Sequence, residues 1–576
     1  MRALILLCMV AVSVAVEDGP KNKGWWRSMS LYQIYPRSFK DGNGDGVGDL
    51  KGITNKLLYF KEIGVNAFWL SPFYPSPMID FGYDIADFNG VDPVFGTMTD
   101  FENMVKRSHE LNLKVIIDLV PNHSSDKHEW FQKSLQNIPP YNDFFVWRSG
   151  KKLSNGTIAP PNNWVSALGG HAWKWREERQ AFYLHQFMPE EPDLNYRNPK
   201  VAEEMKNVLR FWLNKGVDGF RIDSAAYLWE HEDFPDEPPS GKTDDPYNIN
   251  YPDRIYTKDQ PQTYDIIKSW REVLDEYKDS ERIMMIEAYT NMTSTMKYYT
   301  SGAHFPFNFA MIANLTKNSS AADFHKMINN WMEDMPSGGD PNWVAGNHDN
   351  PRPMTRLGSQ RARVATLITL ILPGVSVTYN GDEIGMPDAE ISWEDTKDPL
   401  GCVAGKEGYK STSRDPARTP FQWDRSKAAG FSTNSSTWLP INKNYKTVNL
   451  AIERRDTFSY FHYYKALAKL KKTPIVQTGT LDTKLINANV LAIARETKDG
   501  SLYAVANLGK KTEMVDLSVF DNVSNELQLY YATKGDGAAS VLLPKKNKVK
   551  VVSGGIVIYV TKGVTVQDLE EVPPDY

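Results

Sequence analysis

Four short segments of the sequence combine acidic residues with His or Arg, and each follows an apolar run that predicts a β-strand. Enzymes built as barrels of alternating strands and helices collect their catalytic groups at such strand ends. Carboxyl groups brought together there can act as proton donor, proton acceptor or nucleophile. The four segments are Asp118-Leu-Val-Pro-Asn-His123, Gly219-Phe-Arg-Ile-Asp223, Ile286-Glu-Ala288 and Asn347-His-Asp-Asn350.

Two of these acids are expected to lie in different electrostatic surroundings. Arg221 precedes Asp223 by two residues and therefore lies on the same side of the strand, where its fixed positive charge should keep that carboxyl ionised. Glu287 follows the apolar run 283–286, and a carboxyl in apolar surroundings keeps its proton to higher pH. The alternative is that Arg221 and Asp223 form only a buried ion pair of the barrel.

The rest of the chain supplies the elements that would position these groups. Eight short apolar runs rich in Val, Ile and Phe alternate with helical patterns, such as 199–215 and 458–471, and this alternation predicts an α/β fold, a (β/α)₈ TIM barrel. The predicted strands are 30–35, 67–70, 115–119, 219–222, 284–286, 304–307, 343–345 and 375–379.

Two regions depart from the barrel pattern. Residues 122–198 are rich in Trp, Pro, Gly and Asn and predict a subdomain inserted after strand 3, beside the mouth of the site. After residue 480, short alternating runs such as 490–495, 502–506 and 551–560 predict an antiparallel β-sandwich. The predicted units are the barrel (18–121 and 199–480), the insert (122–198) and the sandwich (481–576).

The N-terminus predicts entry into the secretory pathway. In residues 1–17, Arg2 precedes an apolar run that ends in small residues, which is typical of a signal peptide, and a retained N-terminal anchor is the alternative. No later run reaches the roughly 18 apolar residues of a membrane span. Cys8 lies in that peptide, so Cys402 is left without an internal disulfide partner. With 66 basic and 71 acidic side chains, the chain lacks the charge excess of a nucleic-acid-binding protein.

In this order, the four acidic segments resemble the signature regions of the α-amylase superfamily, glycoside hydrolase family 13. The resemblance extends from about Trp25 to the C-terminus. Further segments resemble the α-glucosidase and oligosaccharidase branch, and in detail the insect maltases. These segments are Tyr32-Gln-Ile-Tyr-Pro-Arg-Ser-Phe39, Gly82-Tyr-Asp-Ile-Ala86, Glu191-Pro-Asp-Leu-Asn195, Tyr379-Asn-Gly-Asp-Glu-Ile-Gly385 and Arg414-Asp-Pro-Ala-Arg-Thr-Pro420.

The resemblance implies a secreted retaining α-glucosidase that releases glucose from the non-reducing end of maltose, sucrose and short α-1,4-glucosides, with some transglycosylation. It assigns Asp223 as nucleophile, Glu287 as general acid/base and Asp349 as the residue that holds hydroxyls of the distorted ring. Retention implies that the first two carboxyls lie ~5 to 5.5 Å apart. The implied substrate-binding residues are Asp80, Tyr83, His123, Arg221, His348 and Arg414.

Some assignments stay open. Arg418 could fill the role given to Arg414, and Asp118 is expected to support the loop that carries His123. A glucosyltransferase is the alternative enzyme, because a sugar can attack the glycosyl-enzyme instead of water. A membrane-anchored, non-catalytic transporter heavy chain is the alternative from another class. The sequence leaves the preference between maltose and sucrose and the oligomeric state open, and it predicts no organic cofactor.

One loop has the pattern of a Ca²⁺ site. The segment Asp41-Gly-Asn-Gly-Asp-Gly-Val-Gly-Asp49 places oxygen ligands at alternate positions with glycines between them. The resembling α-glucosidases carry a metal at this loop, which implies one structural Ca²⁺ held by Asp41, Asn43, Asp45, the Val47 carbonyl and Asp49. The alternative is an acidic turn without a metal.

Two further expectations concern single residues. Glycosylation sequons begin at Asn155, Asn291, Asn314, Asn318, Asn434 and Asn522, whereas the sequon at Asn122 is expected to be buried. Ser224 follows the implied nucleophile at a position where relatives that prefer α-1,6 bonds commonly carry Val. A Ser leaves more room for a 1,4-linked ring, so maltose and sucrose are expected to be cleaved faster than isomaltose.

Overall fold

The computed structural model of the chain describes residues 23–521, 523–524, 526–533 and 547–571. The predicted signal peptide, residues 1–17, and the sequon at Asn522 lie outside these described residues. Among the helices of the described residues, none is long and apolar enough to cross a bilayer.

Eight parallel strands form the central barrel, which confirms the predicted fold. Their order in the sheet is β6-β5-β4-β3-β2-β1-β8-β7, and every predicted strand is present to within two residues at either end. The strands are β1 (Ser30–Ile34), β2 (Ala67–Leu70), β3 (Lys114–Leu119), β4 (Gly219–Ile222), β5 (Ile283–Ile286), β6 (Phe305–Pro306), β7 (Asn342–Val344) and β8 (Val375–Tyr379).

The strands β6 and β7 are the two edge strands of the sheet, and a side chain bridges the gap between them. Asn342 donates its Nδ2 to the carbonyl of Pro306 at 2.7 Å and accepts the backbone N–H of Asn308 at its Oδ1, also at 2.7 Å. The regular part of β6, Phe305–Pro306, is shorter than its predicted range of 304–307.

Helices surround the strands. The predicted helix at 199–215 is confirmed: it begins with Pro199 after the Asn198 cap, and Gly216 follows its end with a φ of 95°. The predicted helix at 458–471 begins two residues late, after the Ser459 cap. The main helices are Leu50–Asn55, Leu57–Glu62, Met98–Glu110, Glu129–Leu135, Pro199–Asn214, Pro261–Leu274, Met292–Thr300, Ala321–Asp334, Gly358–Ile371, Pro399–Thr412 and Tyr460–Lys471.

The segment predicted as an insert contains a small sheet of its own. Strands Trp147–Arg148, Trp173–Arg176 and Ala181–Leu184 make this antiparallel sheet. The long loop after β4 contacts the same segment, because Trp164 donates its Nε1 to the carbonyl of Pro235 at 2.8 Å. Its predicted place beside the mouth of the site stays a prediction.

Antiparallel strands follow the barrel, as predicted. A five-stranded sheet, β9-β10-β11-β15-β13, packs against the pair β12 and β14. The predicted single strand 551–560 is wrong, because a turn that contains Gly554 with a φ of 73° divides it into β14 and β15. The strands are β9 (Thr480–Asn487), β10 (Val490–Thr497), β11 (Gly500–Asn507), β12 (Glu513–Asp516), β13 (Leu527–Ala532), β14 (Lys548–Val551) and β15 (Ile556–Thr561).

Candidate active site

The acids predicted to act together meet at the carboxyl ends of the barrel strands. Asp118 lies at the end of β3, Asp223 follows β4, Glu287 follows β5, and Asp349 lies in the loop after β7. The first three are buried, whereas the Asp349 side chain is 23% exposed. The cluster thus lies at the edge of the barrel at which such enzymes do chemistry.

Arg221 is the central cation of the cluster. Its Nη1 donates to both carboxylate oxygens of Asp118, at 2.9 and 3.2 Å, and to Oδ1 of Asp223. Its Nη2 lies 3.8 Å from Oε2 of Glu287, and its guanidinium lies over the Trp69 ring. Three carboxyls therefore share one guanidinium, and Glu287 is the one without a direct hydrogen bond to it.

The two central acids differ in the hydrogen bonds that stabilise their charge. Burial raises the pKa of Glu287 to about 7, and the charges of Asp223 and Asp349 add to this effect. Burial also raises the pKa of Asp223, so the stabilising effect predicted for Arg221 is present but does not lower that pKa below its usual value. Asp223 accepts hydrogen bonds from Arg221 and from Oγ of Ser224, whereas Glu287 accepts one from the Ser224 N–H. Fewer hydrogen bonds stabilise the charged form of Glu287, which therefore retains a proton more readily than Asp223 does.

Asp349 is kept ionised by neighbouring cations. Arg418 donates from Nη2 to Asp349 Oδ1 at 3.0 Å, and Arg414 donates from Nη1 to the same oxygen at 3.4 Å. Burial acts to raise the pKa of Asp349, but His348 and the two arginines outweigh it and hold that pKa well below its usual range. Because burial lowers the pKa of His348 to about 3, the imidazole is neutral near pH 7 and the arginines dominate there.

The residues predicted to close the far end of the site are in contact. Arg414 donates from Nη2 to Oδ1 of Asp80 at 2.6 Å, although 334 positions separate them in the sequence. Burial raises the pKa of Asp80 to about 6, with Arg414 and Arg418 opposing the rise. Both arginines that the sequence left as alternatives contribute to the cluster.

The predicted aromatic and His residues line the same site. Tyr83 stacks on His348 with ring centroids 5.4 Å apart, and its Oη lies 2.6 Å from His348 Nε2. Nδ1 of His123 lies 2.9 Å from Oδ1 of Asn122, while its Nε2 faces Oε1 of Glu191 at 3.5 Å. Nδ1 of His348 lies 2.8 Å from Nε2 of Gln33, so both nitrogens of each imidazole face protein groups. The predicted contacts of His123 and His348 with hydroxyls remain predictions.

Comparison with known proteins identifies the family. Residues 33–479 match the family model described as alpha amylase, catalytic domain. The chain belongs to the α-amylase family. It is 53% identical to an α-glucosidase of Apis mellifera over 98% of this chain and 99% of the relative. It is 49% identical to maltase 1 of Drosophila virilis over 88% of this chain and 82% of the relative. These matches agree with the resemblance found in the sequence, and the chain is a glycoside hydrolase.

Two other similarities show how varied the family is. A solved α-glucosyl transfer enzyme superposes with a TM-score of 0.82 at 32% identity, covering 93% of this chain and 99% of that one. A human amino acid transporter heavy chain is 39% identical over 88% of this chain and 74% of the relative. The similar proteins therefore include a glucosidase, a glucosyl transfer enzyme and a transporter subunit. The reaction of this chain must be argued from the residues of its site.

Two residues of the site, Asp398 and Tyr289, were missed by the sequence analysis. Asp398 is fully buried and accepts both the backbone N–H of Arg414, at 2.5 Å, and its Nη2, at 2.7 Å. Tyr289 accepts hydrogen bonds from the amides of Asn347 and Asn350 and stacks on Phe309 at 4.4 Å. The one usable signal was the position of Tyr289, two residues after Glu287.

Asp118 has a wider role than the predicted support of the His123 loop. Its Oδ2 accepts hydrogen bonds from Trp69 Nε1 and Tyr83 Oη, each at 3.3 Å, in addition to those from Arg221. It therefore orients Arg221 and Tyr83 directly.

The glycine-rich loop forms a tight acidic turn. Asp41 and Asp49 are buried. Their carboxylates lie close together, since the backbone N–H of Asn43 donates to both, to Asp41 Oδ1 at 3.0 Å and to Asp49 Oδ2 at 3.1 Å. In the described part of the chain, no group of three His, Cys, Asp or Glu side chains could hold a metal ion. A cation at this loop would therefore also need the Asn43 amide and the Val47 carbonyl, and these oxygens fit the preference of Ca²⁺.

The predicted sequons differ in accessibility. Asn155, Asn291, Asn314 and Asn318 are exposed, whereas Asn434 is half-buried and donates its Nδ2 to the carbonyl of Asp45. Asn122 is buried, as predicted, and donates to the carbonyl of Tyr227 at 2.8 Å.

Proposed function

We propose that the protein is a secreted, retaining α-glucosidase that removes single glucose units from maltose, sucrose and short α-1,4-glucosides. One observation carries this proposal: two buried carboxyls, Asp223 and Glu287, both contact Ser224, while only Asp223 accepts a hydrogen bond from Arg221. Such a pair provides one ionised and one protonated carboxyl, as a retaining mechanism requires.

In the proposed mechanism, Glu287 gives its proton to the glycosidic oxygen while Asp223 attacks the anomeric carbon. The bond to the leaving sugar breaks, and a glycosyl ester forms on Asp223. Glu287, now ionised, takes a proton from water, and that water attacks the anomeric carbon from the face that the leaving group vacated. The ester bond breaks, Asp223 returns to its carboxylate, and the released glucose has the α configuration of the substrate.

The far end of the site favours removal of one glucose at a time. Asp349 is ionised and can accept hydrogen bonds from the hydroxyls of a bound ring. The contact between Asp80 and Arg414 closes the site beyond this position, with Asp398 holding the arginine. A chain that continued in this direction would meet these side chains, so the non-reducing end must enter first.

A substrate panel tests the proposed specificity. The purified protein should release free glucose from maltose, sucrose and maltotriose, and it should leave the interior bonds of a long starch chain intact. Rapid loss of viscosity in a soluble starch solution, with little free glucose, would show interior cleavage and contradict the proposal.

Glucosyl transfer is the second candidate, and the similarity to a solved α-glucosyl transfer enzyme favours it. A sugar that enters in place of water would attack the same ester on Asp223. With concentrated sucrose, a hydrolase produces free glucose and fructose in nearly equal amounts. A predominant transferase produces much less glucose than fructose, together with longer oligosaccharides.

We also propose that the protein binds one structural Ca²⁺ at the Asp41–Asp49 loop, where the metal would offset the repulsion of two buried carboxylates. None of the catalytic steps above uses this metal. Chelation should lower the melting temperature, and adding Ca²⁺ should restore it. An unchanged melting temperature in chelator and in excess Ca²⁺ would contradict the proposal.

Secretion and glycosylation follow from the predicted signal peptide and from the exposed sequons. Expressed in insect cells, the protein should appear in the medium and shift to lower mass after treatment with an N-glycan-cleaving enzyme. Asn155→Gln should remove part of that shift, because Asn155 is exposed.

A further inference from the structure

Ser224, which directly follows Asp223, has an unusual backbone conformation. Its φ of 49° and ψ of 32° lie in the left-handed region, which residues other than glycine seldom adopt. Such a conformation persists where the surrounding structure holds it in place, and it occurs often at functional sites.

Backbone hydrogen bonds on both sides hold this residue. The N–H of Glu287 donates to the carbonyl of Ile222 at 2.9 Å, and the N–H of Ala225 donates to the carbonyl of Glu287 at 3.1 Å. The N–H of Asp223 donates to the carbonyl of Leu119 at 2.8 Å. The chain is therefore tied to both neighbouring strands around Ser224.

In this conformation, Ser224 contacts both catalytic carboxyls. Its N–H donates to Oε2 of Glu287 at 2.6 Å, and its Oγ donates to Oδ2 of Asp223 at 2.7 Å. Arg221 donates to the other carboxylate oxygen of Asp223, Oδ1, so each oxygen of this carboxylate accepts one hydrogen bond. One residue thus links the two acids, which belong to different strands.

We propose that Ser224 is a positioning residue of the active site: its N–H fixes Glu287 and its hydroxyl holds Asp223 in the ionised form. This proposal rests on the proposed function, because it concerns the same two acids. It goes beyond the linkage preference that the sequence predicts for Ser224, since it concerns the ionisation of the nucleophile and not the space for the leaving sugar.

The hydroxyl acts on Asp223 within a crowded electrostatic field. Arg221 on β4 attracts the Asp223 charge, and Asp349 from the loop after β7 repels it. The other titratable groups that face the same cluster are Asp118, Glu287 and Tyr83. Removal of the Ser224 hydroxyl leaves these charges in place, so any change in the ionisation of Asp223 can be assigned to that single hydrogen bond.

A series of variants at this position separates the hydroxyl from the backbone. Ser224→Ala and Ser224→Gly lack the hydroxyl but keep the N–H, and Gly adopts the left-handed conformation without strain. Ser224→Thr keeps the hydroxyl, but its branched Cβ strains the left-handed backbone, so it is compared by the position of its pH limb and not by its absolute rate. For each variant, the rate of covalent inactivation by a cyclitol epoxide, which labels the nucleophile, is measured against pH together with kcat/KM and Tm.

The proposal predicts that Ala and Gly shift the acid limb of both pH profiles to higher pH, while Thr retains the wild-type limb. On that limb, the rate of covalent labelling should fall about tenfold, which is the effect expected from loss of one hydrogen bond to a charged group. Identical acid limbs for Ala, Gly and wild type would overturn the proposal. So would acid limbs whose shifts among the variants correlate with Tm and not with the presence of the hydroxyl. If wild type itself released no glucose from any α-glucoside, the proposed function would fail instead.

Discussion

Two regions that bury positive charge differ in the partners of their cations. At the junction of the barrel and the sandwich, Arg495 is fully buried and donates to the carbonyls of Ile371, Val476 and Gly479. Nearby, Lys471 donates to the carbonyl of Gly374 at 2.5 Å. In the active site, by contrast, the buried arginines donate to carboxylates.

This difference decides which group can exchange a proton. Burial lowers the pKa of Arg495 to about 10 and that of Lys471 to about 7. Burial also acts to lower the pKa of Arg221, but Asp118 and Asp223 outweigh it and raise that pKa well above its usual value. The cation of the active site is therefore permanent, and the mobile proton resides on a carboxyl. We therefore expect substitutions at the junction to affect stability and substitutions at the site to affect chemistry.

The largest effect should come from the two central acids. Asp223→Asn and Glu287→Gln remove the proposed nucleophile and the proposed proton donor with little change in shape, so each should reduce kcat by about four orders of magnitude or more. Melting curves should show a folded protein in both cases. Near-normal hydrolysis by either variant would refute the assigned roles.

Arg495→Met should have the opposite signature. It leaves several buried carbonyls without a donor, so we expect a loss of about 3 kcal/mol in the free energy of unfolding and a clear fall in Tm. The kcat of the folded fraction should stay at the wild-type value, because Arg495 does not contact the site. Arg418→Met serves as the comparison, since it removes a cation that contacts Asp349. A kcat that falls equally in both variants would show that the two regions are not separate.

The pH dependence of activity should reflect the raised pKa of Glu287. As pH rises through about 7, Glu287 loses its proton and the reaction loses its acid, so kcat/KM should decrease there. As pH falls through the pKa of Asp223, the nucleophile gains a proton and kcat/KM should also decrease. A bell-shaped profile with its basic limb near 7 is the expected result. A basic limb that persists unchanged in Glu287→Gln, measured on its residual activity, would assign that limb to another group.

The smallest effect concerns linkage. Ser224→Val narrows the space beside the proposed nucleophile, so the ratio of kcat/KM for isomaltose to that for maltose should rise. The rise should correspond to the ~1 to 3 kcal/mol of discrimination that one methyl-scale contact provides. Val also lacks the hydroxyl that donates to Asp223, and its branched Cβ fits the left-handed backbone of Ser224 poorly, so all absolute rates should fall. Comparison of specificity constants for both disaccharides separates the two effects, and a wild type that prefers isomaltose would contradict the sequence-based expectation.

The barrel was readable from the sequence because its strands are buried on both faces. A parallel strand enclosed by helices appears as a short, continuous apolar run, and 67–70, 219–222 and 375–379 were predicted with their observed bounds. The prediction of one strand at 551–560 failed because it passed over Ser553-Gly-Gly555, a turn signal that interrupts the apolar pattern. Gly554 adopts a φ of 73° in the turn between the two strands.

The site was partly readable for a similar reason. Acids directly after strands must meet at one end of a barrel, so Asp223, Glu287 and Asp349 could be grouped in advance. The support given by Asp398 to Arg414 could not, because the helical segment Pro399–Thr412 is broken at Gly405 and brings two residues 16 positions apart into contact. Nor does the residue type reveal the left-handed backbone of Ser224, since serine seldom adopts it.

The central claim is that Asp223 forms a covalent bond to glucose with Glu287 as the acid. The most direct test is to follow the anomeric form of the first glucose released from maltose by proton NMR, before mutarotation. Double displacement at one carbon predicts α-glucose at the earliest times, followed by slow conversion to the equilibrium mixture. First-formed β-glucose would mean that water attacks directly, and it would contradict the account.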